Sequence, residues 1–285
     1  MNYKIWSADE IQILKDKCST GNYSYAMIGE LLNRDSVSCQ NKAKQLKINN
    51  PFKSAKKYTV NKDFWIPNSA SCYWAGFSAA DASINKHSLN CYNYRLEIAN
   101  SDIEHLEQFK KDIQFNGPIK TSLRCDKFLH SRVVISEPKW ISDLQKYYNI
   151  VPNKTSRLGP PDLIDEHLKF CYLIGYIDGD GSVFFDEKRN RLSIKIISSS
   201  EEIISWCHDL IYSKFEKYSL INKKNNYRLS TYNYPILDVN GLRAAVLFDY
   251  LIKFNVPKLN RKWNQPKINL FIKNMKILHP AFFIE

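Results

Sequence analysis

The stretch CYLIGYIDGDGSVFF occupies residues 171–185. Within it Gly175 and Gly179 lie four apart, on one face of a helix. The run then presents two acidic residues, Asp178 and Asp180. About a hundred residues upstream stands a poorer copy, CYWAGFSAADASIN (72–85). It keeps Gly76 and Asp81, but has Ala79 where the later copy has Asp178 and Ala80 where it has Gly179.

The similarity continues past the two stretches. An alternating strand pair follows each, marked by NYRLEIAN (93–100) in the first copy and RLSIKIIS (191–198) in the second. A helical pattern comes next, at 102–115 and 200–215, each opening on Ser or Asp beside acidic residues as a helix N-terminus should. Two further strand-like runs follow in each half: IKTSLRCD and FLHSRVVIS, then YSLINKKN and YPILDVN. SEPKWISDLQKYY then aligns with NGLRAAVLFDYLIKF, and Val151-Pro152 with Val256-Pro257. Order and spacing recur over many elements, so the fold class is α+β. It is a tandem αββαββα repeat with a pseudo-twofold axis, and its two halves are 69–152 and 169–285. Residues 153–168 join them, where Gly159-Pro160-Pro161 would stop a helix.

Small residues four apart let helix backbones approach closely. If the two copies pack on each other, their C-terminal ends meet, and Asp81 and Asp180 come side by side. Two carboxylates forced together on a basic protein need a cation. Magnesium suits them, being a hard ion held by one or two carboxylates plus water and phosphate oxygens.

The two motifs resemble those of the LAGLIDADG homing endonucleases in their single-chain, two-motif form. The resemblance covers roughly residues 69–265, and the second motif, Leu173–Gly181, is the fuller match. It implies that the last acidic residue of each motif, Asp81 and Asp180, binds the catalytic metal, Mg²⁺ or in its place Mn²⁺. It implies that Asp178 is structural. It also implies two saddle-shaped antiparallel sheets that lie in the DNA major groove, and a basic residue near each active site after the fourth strand. The repeat nominates Lys139 and Arg243 for that role. The activity implied is a site-specific, staggered double-strand cut leaving 3′ overhangs at a long asymmetric target. Basic residues along the expected strands are candidate DNA contacts: Arg95, Lys120, Arg124, Arg191, Lys195, Lys223, Lys224 and Arg228.

Residues 1–50 form a separate module. Trp6, Ile11 and Leu14, then Ile28, Leu31 and Leu32, then Val37, Ala43 and Leu46 fit three short amphipathic helices, with Ser7 and Glu10 as a capping box. The module resembles Myb/SANT-like helix-turn-helix domains, in which the third helix enters the major groove. That resemblance makes Gln40 and Asn41 candidate readers of adenine edges, with Lys42 and Lys44 as phosphate contacts. Residues 51–68 read as a basic linker.

Composition agrees with an anionic partner. The 285 residues carry a formal net charge of +12, and 44% hydrophobic residues suffice for a core. No apolar run of about 18 residues suggests a membrane span, and MNYKIWSADE lacks a signal-peptide core. Seven scattered cysteines without a CxxC pair argue against zinc and disulfides, and for a reducing interior. The wealth of Asn, Lys, Ile and Tyr over Gly reflects AT-rich codons, as in a low-GC bacterium, its phage or an organelle. The expected protein is thus a monomeric, intracellular, Mg-dependent DNA endonuclease of the intron-homing kind. The rival is a non-cleaving scaffold: an intron RNA maturase, or a DNA-binding regulator.

Overall fold

Ser7 and Glu10 cap the first helix reciprocally, so α1 (Ala8–Thr20) starts where the capping box places it. It ends at Gly21, whose φ of 68° stops the helix in the left-handed region. Ser24 caps α2 (Tyr25–Leu32) and Asp35 caps α3 (Ser36–Gln45). Leu14, Cys18, Ile28, Leu32, Cys39 and Ala43 form the core of this three-helix unit, with Trp6 packed against it. Arg34, between α2 and α3, donates to both oxygens of Glu10 at 2.8 and 3.1 Å and lies 4.2 Å over the Trp6 ring.

This computed structural model describes residues 5–52, 58–88, 91–125, 127–154, 157–215, 227–229 and 234–283. It divides into two units, Met1–Thr59 and Val60–Glu285. In the second unit Asn68 and Ser71 form a reciprocal cap for α4 (Ser69–Asp81). Asp165 caps α7 (Glu166–Asp180), so this helix begins inside the segment expected to join the halves. Positions 71–79 and 170–178 are buried on every side. Helices apolar all round belong at the centre of a fold, and α4 and α7 pack on each other there.

Each central helix runs straight into a strand. The first half forms one antiparallel sheet from β1 (Ala82–Ser88), β2 (Cys91–Ala99), β3 (Lys120–Arg124) and β4 (Phe128–Ile135), in the order β1-β2-β4-β3. The second half repeats it with β5 (Gly181–Asp186), β6 (Arg191–Ile197), β7 (Tyr227–Leu229) and β8 (Pro235–Asn240), in the order β5-β6-β8-β7. α5 (Ile103–Asp112) and α8 (Glu201–Phe215) lie between the two strand pairs of each half, and α6 (Pro138–Tyr148) and α9 (Leu242–Ile252) follow the second pair. The expected αββαββα order is therefore observed twice. The chain ends with the single-turn α10 (Asn260–Trp263) and with α11 (Pro266–Leu278), which packs on α9 and the second sheet.

The linker expected over 51–68 is shorter than its polarity suggests. Phe64 and Trp65 are buried in the first half, with Trp65 centred 5.3 Å from Trp140 and 5.9 Å from Tyr94. Asn61 accepts from Trp140 Nε1 at 2.9 Å, and its N–H donates to Ile113. Burying two large aromatic side chains holds this segment to the core, whatever the charge of its neighbours. Cys18, Cys39, Cys72, Cys125, Cys171 and Cys207 are free thiols.

Candidate active site and nucleic-acid interface

Two glycines set the spacing of the central helices. A Cβ added to Gly76 would stand 1.9 Å from the Tyr172 carbonyl oxygen, and one added to Gly175 would stand 1.9 Å from the Tyr73 carbonyl oxygen. The contact is reciprocal, as a twofold repeat requires. One turn on, Gly179 faces Ala80, and its own Cβ would lie 3.5 Å from Asp81 Oδ2. Backbone therefore meets backbone along the seam, and the last helical residues, Asp81 and Asp180, come together where the strands begin.

Both carboxylates reach solvent, yet surrounding protein desolvates each of them. Desolvation raises Asp81, the charge of Asp180 raises it further, and Lys262, Lys154 and Arg261 pull it back, to about 6. Asp180 is likewise raised by desolvation against the pull of Lys154 and Lys262. The two lysines are a finding of the structure. Lys154 Nζ donates to the Ala79 and Ala80 carbonyls at 2.5 and 2.9 Å. Lys262 Nζ donates to the carbonyls of Ile177, Asp178 and Gly181 at 2.8, 2.6 and 2.7 Å. Each thus closes the C-terminal end of one central helix, where free carbonyls and the helix dipole favour a cation. Burial lowers both, Lys262 to about 8.

Lys139 and Arg243, nominated by the repeat, are placed differently. Lys139 sits on α6, bonded to Asp143 at 2.5 Å and to Asp63 at 3.2 Å, where it secures the 60–68 segment. Arg243 sits in the first turn of α9, half-buried. Neither is among the basic residues that lower Asp180, which are Lys154 and Lys262. Lys139 has an aspartate four residues on, a local pairing signal already present in the sequence. Lys154 and Lys262 share only a position shortly after the two Val-Pro pairs.

Strand alternation sorts the candidate DNA contacts. In the first sheet Leu96, Ile98, Val133 and Ile135 are buried, so Arg95, Glu97, His130 and Arg132 take the opposite face. Lys120 and Arg124 pair with Arg132 and Phe128 and share that face. A recess of about 710 Å³ runs from it to Asp81 and Arg261. Glu97 is the acidic exception, paired with Arg95. In the second sheet Leu192, Ile194 and Ile196 are buried, and Arg191 and Lys195 share the other face. Lys195 Nζ lies 5.0 Å over the Phe184 ring. Arg228 is in β7 opposite Ile236. Lys223 and Lys224, with the expected strand 218–225, lie outside the described residues. In the N-terminal unit Gln40, Asn41 and Lys44 are exposed along α3 beside Val37, while Lys42 is half-buried and donates to Gln45.

The donor set at the helix ends fits a hard divalent cation. Asp81 and Asp180 present oxygen ligands that repel one another. Among the described residues no group of three or more His, Cys, Asp or Glu is placed to hold a metal ion. The remaining coordination positions would fall to water and phosphate oxygens, as magnesium prefers.

Residues 168–253 match the sequence profile of the LAGLIDADG-like domain. An uncharacterised protein of Methanocaldococcus jannaschii is 24% identical over 216 residues, covering 72% of this chain and 73% of its own length. Among solved structures, the homing endonuclease I-LtrWI bound to target DNA aligns over 76% of this chain and 92% of its own, at 14% identity and a TM-score of 0.45. I-WcaI bound to its DNA recognition sequence aligns over 67% and 84%, at 15% identity and a TM-score of 0.46. No helix among the described residues is long and apolar enough to cross a membrane.

Proposed function

We propose that the chain is a monomeric, site-specific DNA endonuclease that hydrolyses one phosphodiester bond in each strand of a long asymmetric duplex. One observation carries the reading: two carboxylates, Asp81 and Asp180, meet at the ends of paired helices that feed two basic sheets. The LAGLIDADG-like match over 168–253 supports it, as does the net charge of +12. One chain holds both halves of the site, so a second copy is not needed to complete it.

The groove faces of the two sheets, with Arg95, Lys120, Arg124, Arg191 and Lys195, engage phosphates and base edges on either side of the cut. Asp81 and Asp180 would hold Mg²⁺. When bound, the ion supplies Lewis acidity at the phosphate and lowers the pKa of attacking water. Lys154 and Lys262 hold two ammonium groups beside the carboxylates, where negative charge grows on the phosphoryl oxygens during in-line attack. Their bonds to helix carbonyls fix them before substrate arrives, so little reorganisation is required. In the N-terminal unit, Gln40, Asn41 and Lys44 of α3 contact a flanking stretch of duplex, and tethering raises the affinity of the whole.

The test is cleavage of duplexes selected from a randomised library, with and without Mg²⁺. Asp81→Asn and Asp180→Asn should each lower cutting by at least about a hundredfold while leaving binding intact. Tight, metal-indifferent binding with no product from the wild type would instead establish a non-cleaving regulator. Preference for structured intron RNA over every selected duplex would establish a maturase.

A further inference from the structure

The carboxylate of Asp178 is buried and apart from the cation site. Three donors converge on it. Tyr73 OH and the Leu259 N–H donate to Oδ2 at 2.7 and 2.9 Å, and Trp263 Nε1 donates to Oδ1 at 2.6 Å. His105 Nε2 lies 2.8 Å from the Tyr73 hydroxyl on its other side. Leu259 and Trp263 bracket α10, and Lys262 lies between them. Asp178 therefore holds both ends of the one turn that carries Lys262, while Lys262 Nζ reaches back to the Asp178 carbonyl itself at 2.6 Å.

Among the described residues the first half has no such clamp. Its residue equivalent to Asp178 is Ala79, buried to 2% exposure. The residue equivalent to Tyr73 is Tyr172, and its buried hydroxyl has no hydrogen-bond partner among the described residues. The loss of the carboxylate at 79 accounts for that orphan. Lys154 is held through its ammonium group on two helix carbonyls, and no described side chain takes the part Asp178 plays for Lys262.

We propose that Asp178 is a positioning residue for Lys262, and that its absence from the first half makes the two halves of the active site unequal. The DNA strand served by Lys262 is then cut faster than the strand served by Lys154. The inference rests on the nuclease reading given above and assigns to Asp178 the difference between its two half-sites.

The experiment is strand-resolved cleavage of one selected duplex in Mg²⁺, labelled differently at its two 5′ ends. Lys262→Met and Lys154→Met first identify which strand depends on which lysine. Asp178→Asn offers an amide where three donors converge, so at least one donor loses its acceptor. It should slow the Lys262-dependent strand about tenfold or more and leave the other within about twofold. Trp263→Phe, which keeps the ring on Phe248 and removes only the Nε1 donor, should slow the same strand to a smaller degree. Its milder change keeps the test open if Asp178→Asn does not fold. Equal slowing of both strands by Asp178→Asn and Trp263→Phe, in step with lost thermal stability, would overturn the positioning role while leaving the nuclease reading intact. Wild-type nicking without strand preference would also overturn it. Binding of the duplex with neither strand cut by the wild type would remove the nuclease reading and this inference together.

Discussion

Replacing Gly76 or Gly175 with alanine tests the seam on which the whole site depends. The added Cβ would stand 1.9 Å from a carbonyl oxygen, whereas real Cβ contacts essentially never fall below 3.0 Å. The obstacle is backbone on both sides, so no side chain can swing away, and the helices must separate by about 1 Å. A gap of that size forfeits a quarter to a half of the dispersion energy of the atoms facing it. With overpacking at about 1–3 kcal/mol in ordinary cores, each substitution should cost about 3 kcal/mol or more. Gly159→Ala is the control: its nearest contact would be 3.6 Å, and it should stay within about 0.5 kcal/mol. The assay is urea unfolding followed by fluorescence, comparing midpoints at constant slope. The two sites press on the same seam, so the double variant should cost clearly less than the two singles together. Full additivity, or single costs near that of Gly159→Ala, would refute this account of the helix pair. Any variant that still folds should also bind Mg²⁺ more weakly, because Asp81 and Asp180 move apart with their helices.

Three further outcomes follow from particular contacts. Tyr73→Phe removes a hydroxyl shared by Asp178 and His105 and should destabilise by about 1–3 kcal/mol, whereas Tyr172→Phe removes an unpartnered hydroxyl and should be neutral or stabilising in the same unfolding assay. Burial holds His105 near pKa 4 against 6.5 in the open chain, so the unfolded state binds more protons between those values. Stability is then lost as pH falls from about 6.5 towards 4, by about 3 kcal/mol, and His105→Gln should remove that slope; equal slopes in calorimetry would contradict it. Arg34→Met breaks the Glu10 pair and leaves Trp6 uncovered, and should cost the N-terminal unit about 2 kcal/mol. Hydrogen exchange should report the loss in α1, α2 and α3 and leave the strands of the second unit protected as before.

The repeat, the helix pair and the two carboxylates were legible in the sequence because they rest on local spacing. Glycines four apart mark one helical face, alternating residues mark half-buried strands, and two copies of each pattern imply a twofold arrangement. Asp81 and Asp180 follow as the last residues of equivalent helices. The capping box of Ser7 and Glu10 was legible for the same reason, since both partners lie within one turn.

Other features depend on chain segments that meet only after folding. Lys262 lies more than eighty residues beyond the carbonyls it closes, and Lys154 more than seventy beyond its own. No period or motif links such positions, and the repeat alignment pointed to Lys139 and Arg243 instead. Phe64 and Trp65 sit in a basic stretch without periodicity, yet they complete the first core because Trp140 and Tyr94 stand opposite them. Asp178 shows the division most clearly. The resemblance of its motif implies only that it is structural. Only the tertiary structure places Tyr73, Leu259 and Trp263 around its carboxylate, and leaves Tyr172 without an equivalent at Ala79. Local pattern determined which helices pair and which side chains end them. The return of distant segments, driven by buried aromatic packing and by helix carbonyls that need a cation, decided what stands beside those ends.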